Sequence, residues 1–217
     1  MPWSSNHTYL ARVCHHGTET LAIYKPRRGE RPLWDFTAGT LCQRETASYV
    51  LSEALGWSIV PFTVLRDGPA GPGMVQQFVT HDPEDHFFTL REQHGDRFRQ
   101  FALFDVVANN ADRKSGHCLL GPGGHIWGID HGLTFHCALK LRTVIWDYEG
   151  EPIPDVLAAD LARLAADLDE DGEWAQRLRP LLAGEEMVAA RGRLEWLLEN
   201  RAFPPPFTDY PYPWPMV

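Results

Sequence analysis

Two short polar segments hold the chain's densest set of reactive side chains: Asn109-Asn110-Ala111-Asp112-Arg113-Lys114-Ser115-Gly116-His117 and Ile129-Asp130-His131-Gly132. Between them, Cys118-Leu119-Leu120 and His125-Ile126-Trp127-Gly128-Ile129 are apolar runs separated by Gly121-Pro122-Gly123-Gly124, the pattern of a β-hairpin. In a hairpin the residue entering the first strand and the residue leaving the second share the open end, where paired Cα atoms lie roughly 4.5–5.5 Å apart. His117 and Asp130 are therefore expected to be neighbours, and Asp112 sits in a polar loop that must curl around the same end. Two carboxylates and a histidine brought together beside the Asn110 amide and the Lys114 ammonium suit metal-assisted phosphoryl transfer. That reaction needs charge neutralisation and in-line positioning more than covalent chemistry. Taken singly, an Asn/Asp cluster reads as turn chemistry and Asp130 as a surface cap; the hairpin favours convergence.

The elements that must position these groups follow from periodicity. Residues 98–107 are apolar on nearly every side apart from Arg99, Gln100 and Asp105, predicting a buried helix that delivers the chain into the 109–117 loop. Upstream, residues 9–13 and 20–25 predict two strands joined by a polar turn at His15-His16-Gly17. Leu21, Ile23 and Lys25 share one face, where Lys25 either snorkels from the strand end or serves a site. Thr40-Leu41-Cys42-Gln43 has capping-box spacing, and Ala47, Val50, Leu51, Ala54 and Leu55 follow at helical intervals until Gly56. Glu45 is either a carboxylate favoured by the helix dipole or the partner of Lys25. Residues 60–65 and 74–79 predict a second strand pair across the turn-rich segment 67–73.

The polar run His81-Asp82-Pro83-Glu84-Asp85-His86 reads as a linker; without a helical His-x-x-x-His frame it does not read as a metal site. Lys140 and Arg142 either hold an anionic substrate or solvate a loop face. Residues 155–168, 173–182 and 185–200 predict helices. The chain is thus expected to be α+β: residues 1–79 a small antiparallel sheet with one helix, 80–203 mainly helical, and 204–217 a Pro- and aromatic-rich tail. That tail either packs by its aromatics or is presented to a protein partner as a polyproline ligand.

Composition sets outer bounds. The 217 residues fit one domain or one domain in two lobes. A net charge of −9 argues against a basic nucleic-acid groove or adsorption to an anionic membrane. No apolar run approaches the roughly 20 residues needed to span a bilayer. The N-terminus lacks the basic and apolar regions of a signal peptide, so a cytoplasmic location is expected. Cys14, Cys42, Cys118 and Cys137 form no CxxC pair and are expected to be reduced core residues.

Taken in order, Tyr24-Lys25-Pro26, Gly29-Glu30-Arg31-Pro32-Leu33-Trp34-Asp35-Phe36, Arg44-Glu45, Val75-Gln76-Gln77-Phe78-Val79, Asp112-Arg113-Lys114 through His117, and Ile129 through Phe135 carry a family resemblance. The chain resembles the phosphatidylinositol 3- and 4-kinase-like branch of the protein-kinase-like fold, and most of all the short actinobacterial phosphatidylinositol-kinase-like proteins. The resemblance implies a two-lobed kinase-like fold, with a catalytic β-hairpin in the helical lobe, that uses ATP with Mg²⁺ or Mn²⁺. Lys25 would contact the phosphates and Glu45 would hold Lys25. Gln77, Phe78 and Val79 would form the hinge against adenine, and Ser5 and Asn6 would lie in the phosphate loop. Asp112 would orient or deprotonate the acceptor hydroxyl and Asp130 would bind the metal. His117 stands where related kinases commonly place a metal-binding Asn, and would serve as a ligand. Lys114 stands where lipid-directed members often carry a His. The expected activity is phosphoryl transfer to a hydroxyl of a soluble small molecule or a protein. A nucleotide-binding pseudokinase and a HipA-like serine/threonine kinase are the alternatives, and a lipid acceptor ranks below them.

Overall fold

The structure, a computed structural model, describes residues 6–217; the Ser5 assignment lies outside them. A four-stranded sheet opens the chain, with β1 (Tyr9–His15), β2 (Thr18–Pro26), β3 (Thr63–Gly68) and β4 (Gly71–Gln77) in the order β1-β2-β4-β3, each neighbour antiparallel. The second strand pair is shifted from its expected place, because the Gly/Pro-rich segment is itself ladder. Gly68 faces Gly71, and only Pro69-Ala70 turns the chain. Residues 60–62 stay outside the strand: Pro61 has no N–H to give a ladder, and the Ser52 hydroxyl takes the N–H of Ile59 and of Val60. Gly73 fixes how β4 meets β2. A Cβ there would lie 2.4 Å from the Lys25 carbonyl oxygen and 2.6 Å from Pro26 Cα, so only glycine lets the strands close at the residue that presents Lys25.

Helix α1 (Leu41–Leu55) packs against the sheet and the helical lobe, and ends at Gly56 with φ 71°. The expected capping box is not formed. Thr40 is the N-cap, but its hydroxyl donates to the Thr37 carbonyl, and the carboxylate of Glu30 accepts the N–H of Leu41 and of Cys42 at 3.2 and 2.9 Å. A full carboxylate on two unpaired helix N–H groups is a stronger cap than a hydroxyl.

After the short helix α2 (Phe87–Leu90), helix α3 (Gly95–Ala108) runs through the core, with Phe98, Phe101, Leu103 and Phe104 fully buried. The expected hairpin, of β5 (Cys118–Leu120) and β6 (Ile126–Gly128), follows, with Cys118 facing Gly128. Helices α4 (Asp155–Asp169), α5 (Glu173–Leu178) and α6 (Gly184–Asn200) complete the lobe. The two lobes are joined at several points. Arg44 on α1 donates to the Thr134 carbonyl at 2.6 Å and pairs with Glu186 on α6, and Trp57 Nε1 donates to Asp160 on α4 at 2.8 Å.

The tail lies against the helical lobe, with Phe207 packed on Trp196. Its backbone carbonyls are the anchors, with Pro211 accepting from Thr143 N and Met216 from Ser115 N, while Tyr210, Tyr212 and Trp214 are exposed. Of the cysteines, Cys42 and Cys118 are buried, but Cys14 and Cys137 are exposed, which corrects the expectation of four core thiols; all are unpaired. Among the described residues no helix is long and apolar enough to cross a membrane.

Candidate active site

Three elements from two lobes meet at Lys25. Its ammonium lies 2.6 Å from Glu45 Oε1 and 2.8 Å from Asp130 Oδ1. Glu45, almost fully buried, uses its other oxygen to accept the His131 N–H at 2.9 Å. One glutamate on α1 thus fixes both the lysine of the sheet and the turn after β6. Asp130 holds that turn with φ 62°, a left-handed conformation that aspartate tolerates better than most residues. Burial disfavours the Lys25 charge, but Asp130 and Glu45 outweigh burial and hold its pKa above the ordinary lysine value. Lys25 in turn keeps the half-exposed Asp130 carboxyl well below the ordinary carboxylate range, against burial and with His117 adding to the effect. Burial raises Glu45, with Lys25 opposing and Asp130 reinforcing.

The 109–117 loop is built from the inside. Helix α3 ends at Asn109 in the left-handed region, φ 50°. The buried Asn109 amide donates to the carbonyls of His136 and Ala138 and accepts from Lys140 N, each at 2.8 Å. Asn110, also buried, donates to Asp105 and accepts the Asp112 N–H at 3.0 Å. Arg113 is 0 % exposed. It forks onto both Asp105 oxygens at 2.9–3.1 Å and donates to His131 Nε2 at 2.7 Å. Burying Arg113 leaves its neighbours in sequence, Asp112 and Lys114, facing outward, 3.4 Å apart. Burial pushes the Asp112 carboxyl up to about 6, with Lys114 opposing and Asp130 contributing. A carboxyl at that pKa is ionised near neutrality yet basic enough to take a proton.

Lys25, Glu45, Asp112 and Asp130 line one cavity of about 360 Å³, closed by Arg31 and Trp34 and by Leu41 and Leu133. Asn6 reaches the same cavity, and its Oδ1 accepts the Arg31 N–H at 2.7 Å. Gln77, Phe78 and Val79 do not line it; they lie along the β4 exit. There the N–H groups of Gln77 and Phe78 are taken by the Phe62 and Leu21 carbonyls. The N–H of Val79 has no partner among the described residues. Lys140 and Arg142 stand outside the cavity. Lys140 pairs with Asp35 at 2.8 Å, and the Arg142 side chain is exposed.

His117 and Asp130 are neighbours as expected, with Nε2 3.5 Å from Asp130 Oδ2. Burial, against Asp130, pushes the imidazole down to about 4, so it is neutral. Its Nδ1 accepts the Lys114 N–H at 3.4 Å, which puts the ring proton on Nε2, facing Asp130. In this tautomer His117 orients the carboxylate, and it becomes a metal ligand only when the proton moves to Nδ1. No group of three or more His, Cys, Asp or Glu side chains among the described residues is arranged to hold an ion alone. The donor set still fits Mg²⁺, which is ordinarily held by one or two carboxylates together with phosphate oxygens.

Sequence reasoning missed the groups behind these residues. Glu30, Asp35 and His131 stand inside the quoted segments, and Asp105 inside the apolar helix, but local sequence assigns none of them its partner. Asp105 had a signal, as a carboxylate in an otherwise apolar helix that requires a buried partner; nothing in the sequence pointed to His131 as part of it.

No protein-family model matches the chain. The Mycobacterium tuberculosis protein Rv2133c is 38% identical over 247 aligned positions, covering 98% of this chain and 88% of that protein. Among solved structures, the Helicobacter pylori proinflammatory kinase CtkA superposes with a TM-score of 0.52 at 12% identity, over 92% of this chain and 89% of that one. At that identity the likeness shows the fold: α+β, two-lobed and kinase-like.

Proposed function

The chain belongs to the family of the Mycobacterium tuberculosis protein Rv2133c, and from that premise and the site geometry we propose that it is a phosphotransferase using ATP and a divalent metal. The observation that carries this reading is Lys25 bridged between Glu45 and Asp130 on the wall of a cavity that also receives Asp112. Lys25, fixed by Glu45, binds phosphate oxygens. Val79 offers its N–H to the base, and Asn6 stiffens the loop at the phosphate end. Asp130, with Asp112 nearby, holds Mg²⁺ or Mn²⁺, and His117 orients Asp130. The bound metal neutralises charge on the transferring phosphoryl group. Asp112 takes the proton from the acceptor hydroxyl, and Lys114 steadies it, while Asn110 shapes the loop that carries it.

The motif order supports the phosphatidylinositol-kinase-like branch. The net charge of −9 supports a hydroxyl on a soluble small molecule or protein over a lipid headgroup. The His117 tautomer, which turns a proton toward Asp130 where a ligand is expected, favours one second reading, a nucleotide-binding regulator without turnover. Labelled ATP with Mg²⁺ or Mn²⁺, and cell extract as acceptor source, separates the two. The expected outcome is transfer by the wild-type protein, loss of transfer in Asp112→Ala, and weakened nucleotide binding in Asp130→Ala. Undiminished transfer in Asp112→Ala removes the assignment; binding without transfer in the wild type selects the regulator.

A further inference from the structure

The 109–117 loop has an inner and an outer anchor. The inner one is the buried Asp105–Arg113–His131 set. The outer one is made of backbone. Arg113 forms a parallel bridge with Thr143, giving its N–H to the Arg142 carbonyl at 3.0 Å and accepting the Val144 N–H at 3.1 Å. The tail lies on the far side of that segment. The Pro211 carbonyl accepts from Thr143 N at 3.0 Å and from Trp146 Nε1 at 3.3 Å, and the Met216 carbonyl accepts from Ser115 N at 2.8 Å. Ser115 is 0 % exposed and its hydroxyl has no partner among the described residues, while its N–H donates to Met216 and its carbonyl accepts from the Cys118 N–H. Pro213 is buried, and Phe207 packs on Trp196 with ring centroids 5.6 Å apart. The exposed rings of Tyr210, Tyr212 and Trp214 add little to this attachment. A strap held by three carbonyl contacts gains less than one held by buried aromatics, so its effect is on placement more than on stability.

We propose that residues 211–216 are a positioning strap that fixes the loop bearing Asp112, and so sets turnover while leaving nucleotide binding alone. The inference rests on the phosphotransferase reading for its kinetic part. Among the described residues no hydrogen bond or ion pair joins Lys25, Glu45 or Asp130 to the strap, whereas Ser115 lies three residues beyond Asp112. The Met216 contact therefore acts on the loop bearing Asp112, and reaches Asp130 through His117 at the other end of the same turn and not through Lys25 or Glu45. A small displacement of a base from its acceptor lowers turnover steeply.

Ser115→Pro tests the contact in the full chain. It deletes the N–H at the first residue of a 3₁₀ turn, a position that accepts proline, after Lys114 with ψ 162°, which suits a residue before proline. Ser115→Ala keeps the N–H and removes only the hydroxyl. The expected result is a turnover about tenfold or more lower in Ser115→Pro than in Ser115→Ala. ATP affinity measured with chelator, which draws on Lys25 and not on the metal side of the turn, should agree between the two within about twofold, a difference of under ~0.5 kcal/mol. Pro213→Asp, which loosens the strap from its own side, should give the same split even if Ser115→Pro fails to fold. Amide hydrogen exchange provides a readout independent of activity: peptides covering the 109–118 segment should exchange faster in both strap variants, with α1 unchanged. Equal turnover in the two Ser115 variants, or unchanged exchange across 109–118, overturns the strap. Faster exchange in a protein that binds ATP without turnover upholds the strap and rejects the phosphotransferase reading.

Discussion

Asp112→Asn should make the protein more stable while removing its turnover, and the size of the gain should depend on pH. Burial raises the Asp112 carboxyl from 3.8 to about 6, so between those values the folded chain holds a proton that the unfolded chain has released. Stability therefore falls as pH rises through this window and is flat above it, because the native state binds more protons than the unfolded state. At 1.36 kcal/mol per unit, the shift has a ceiling of about 3 kcal/mol. The side chain is 25 % exposed and pairs with Lys114, and Asn forfeits that pair, so about 1–2 kcal/mol is the expected net gain at pH 7. Urea denaturation of wild type and Asp112→Asn with chelator present, at pH 4 and at pH 7, measures the difference directly. It should be near zero at pH 4 and reach its full value by pH 7. A difference that is the same at both pH values, or that favours the wild type at pH 7, refutes the argument that burial of this carboxylate is a cost carried for catalysis.

Lys25→Met leaves Glu45 and Asp130 without their shared cation and should weaken MgATP binding at least about tenfold, as expected for losing a charged hydrogen bond; calorimetry checks this, and unchanged affinity would remove Lys25 from the site. Arg113→Met strands Asp105 in the core and should cost about 3–5 kcal/mol by chemical denaturation. Replacing both, as Asp105→Leu with Arg113→Met, should recover most of that loss. His117→Asn exchanges a ring that presents a proton to Asp130 for an amide oxygen, and should lower the Mg²⁺ concentration needed for half-maximal nucleotide binding by about two- to tenfold; a rise instead would mean that the imidazole is already the ligand. Hydrogen exchange across α1 should be the same with and without MgATP, since both lobes already hold that helix.

The local periodicities carried most of the fold. Helix α3, the β5–β6 hairpin and the meeting of His117 with Asp130 follow from apolar spacing and a Gly/Pro turn, because each is decided within about twenty residues of chain. What escaped is decided by partners far away in sequence. Glu30 caps α1 from outside the helix, so a reader of Thr40-Leu41-Cys42-Gln43 alone assigns the cap to the wrong side chain. Asp105, Arg113 and His131 are spread along the chain, and only the folded core brings them together. Lys140 reads as a free cation until the loop bearing Asp35 is laid across it. Even the shifted β3–β4 pair has this origin: strand propensity disfavours Gly71-Pro72-Gly73, and close approach to Lys25 and Pro26 requires it.

The two attachments of Arg44, to the Thr134 carbonyl and to Glu186, together with the Trp57–Asp160 bond, tie α1 to the helical lobe along its length. The Lys25–Glu45 pair is therefore braced from the helical lobe, and rotating α1 outward would break both Arg44 contacts together with that pair. The β1–β2 hairpin is held differently: its turn end is exposed, while the far end of β2 pairs with β4 and carries Lys25 into the cavity.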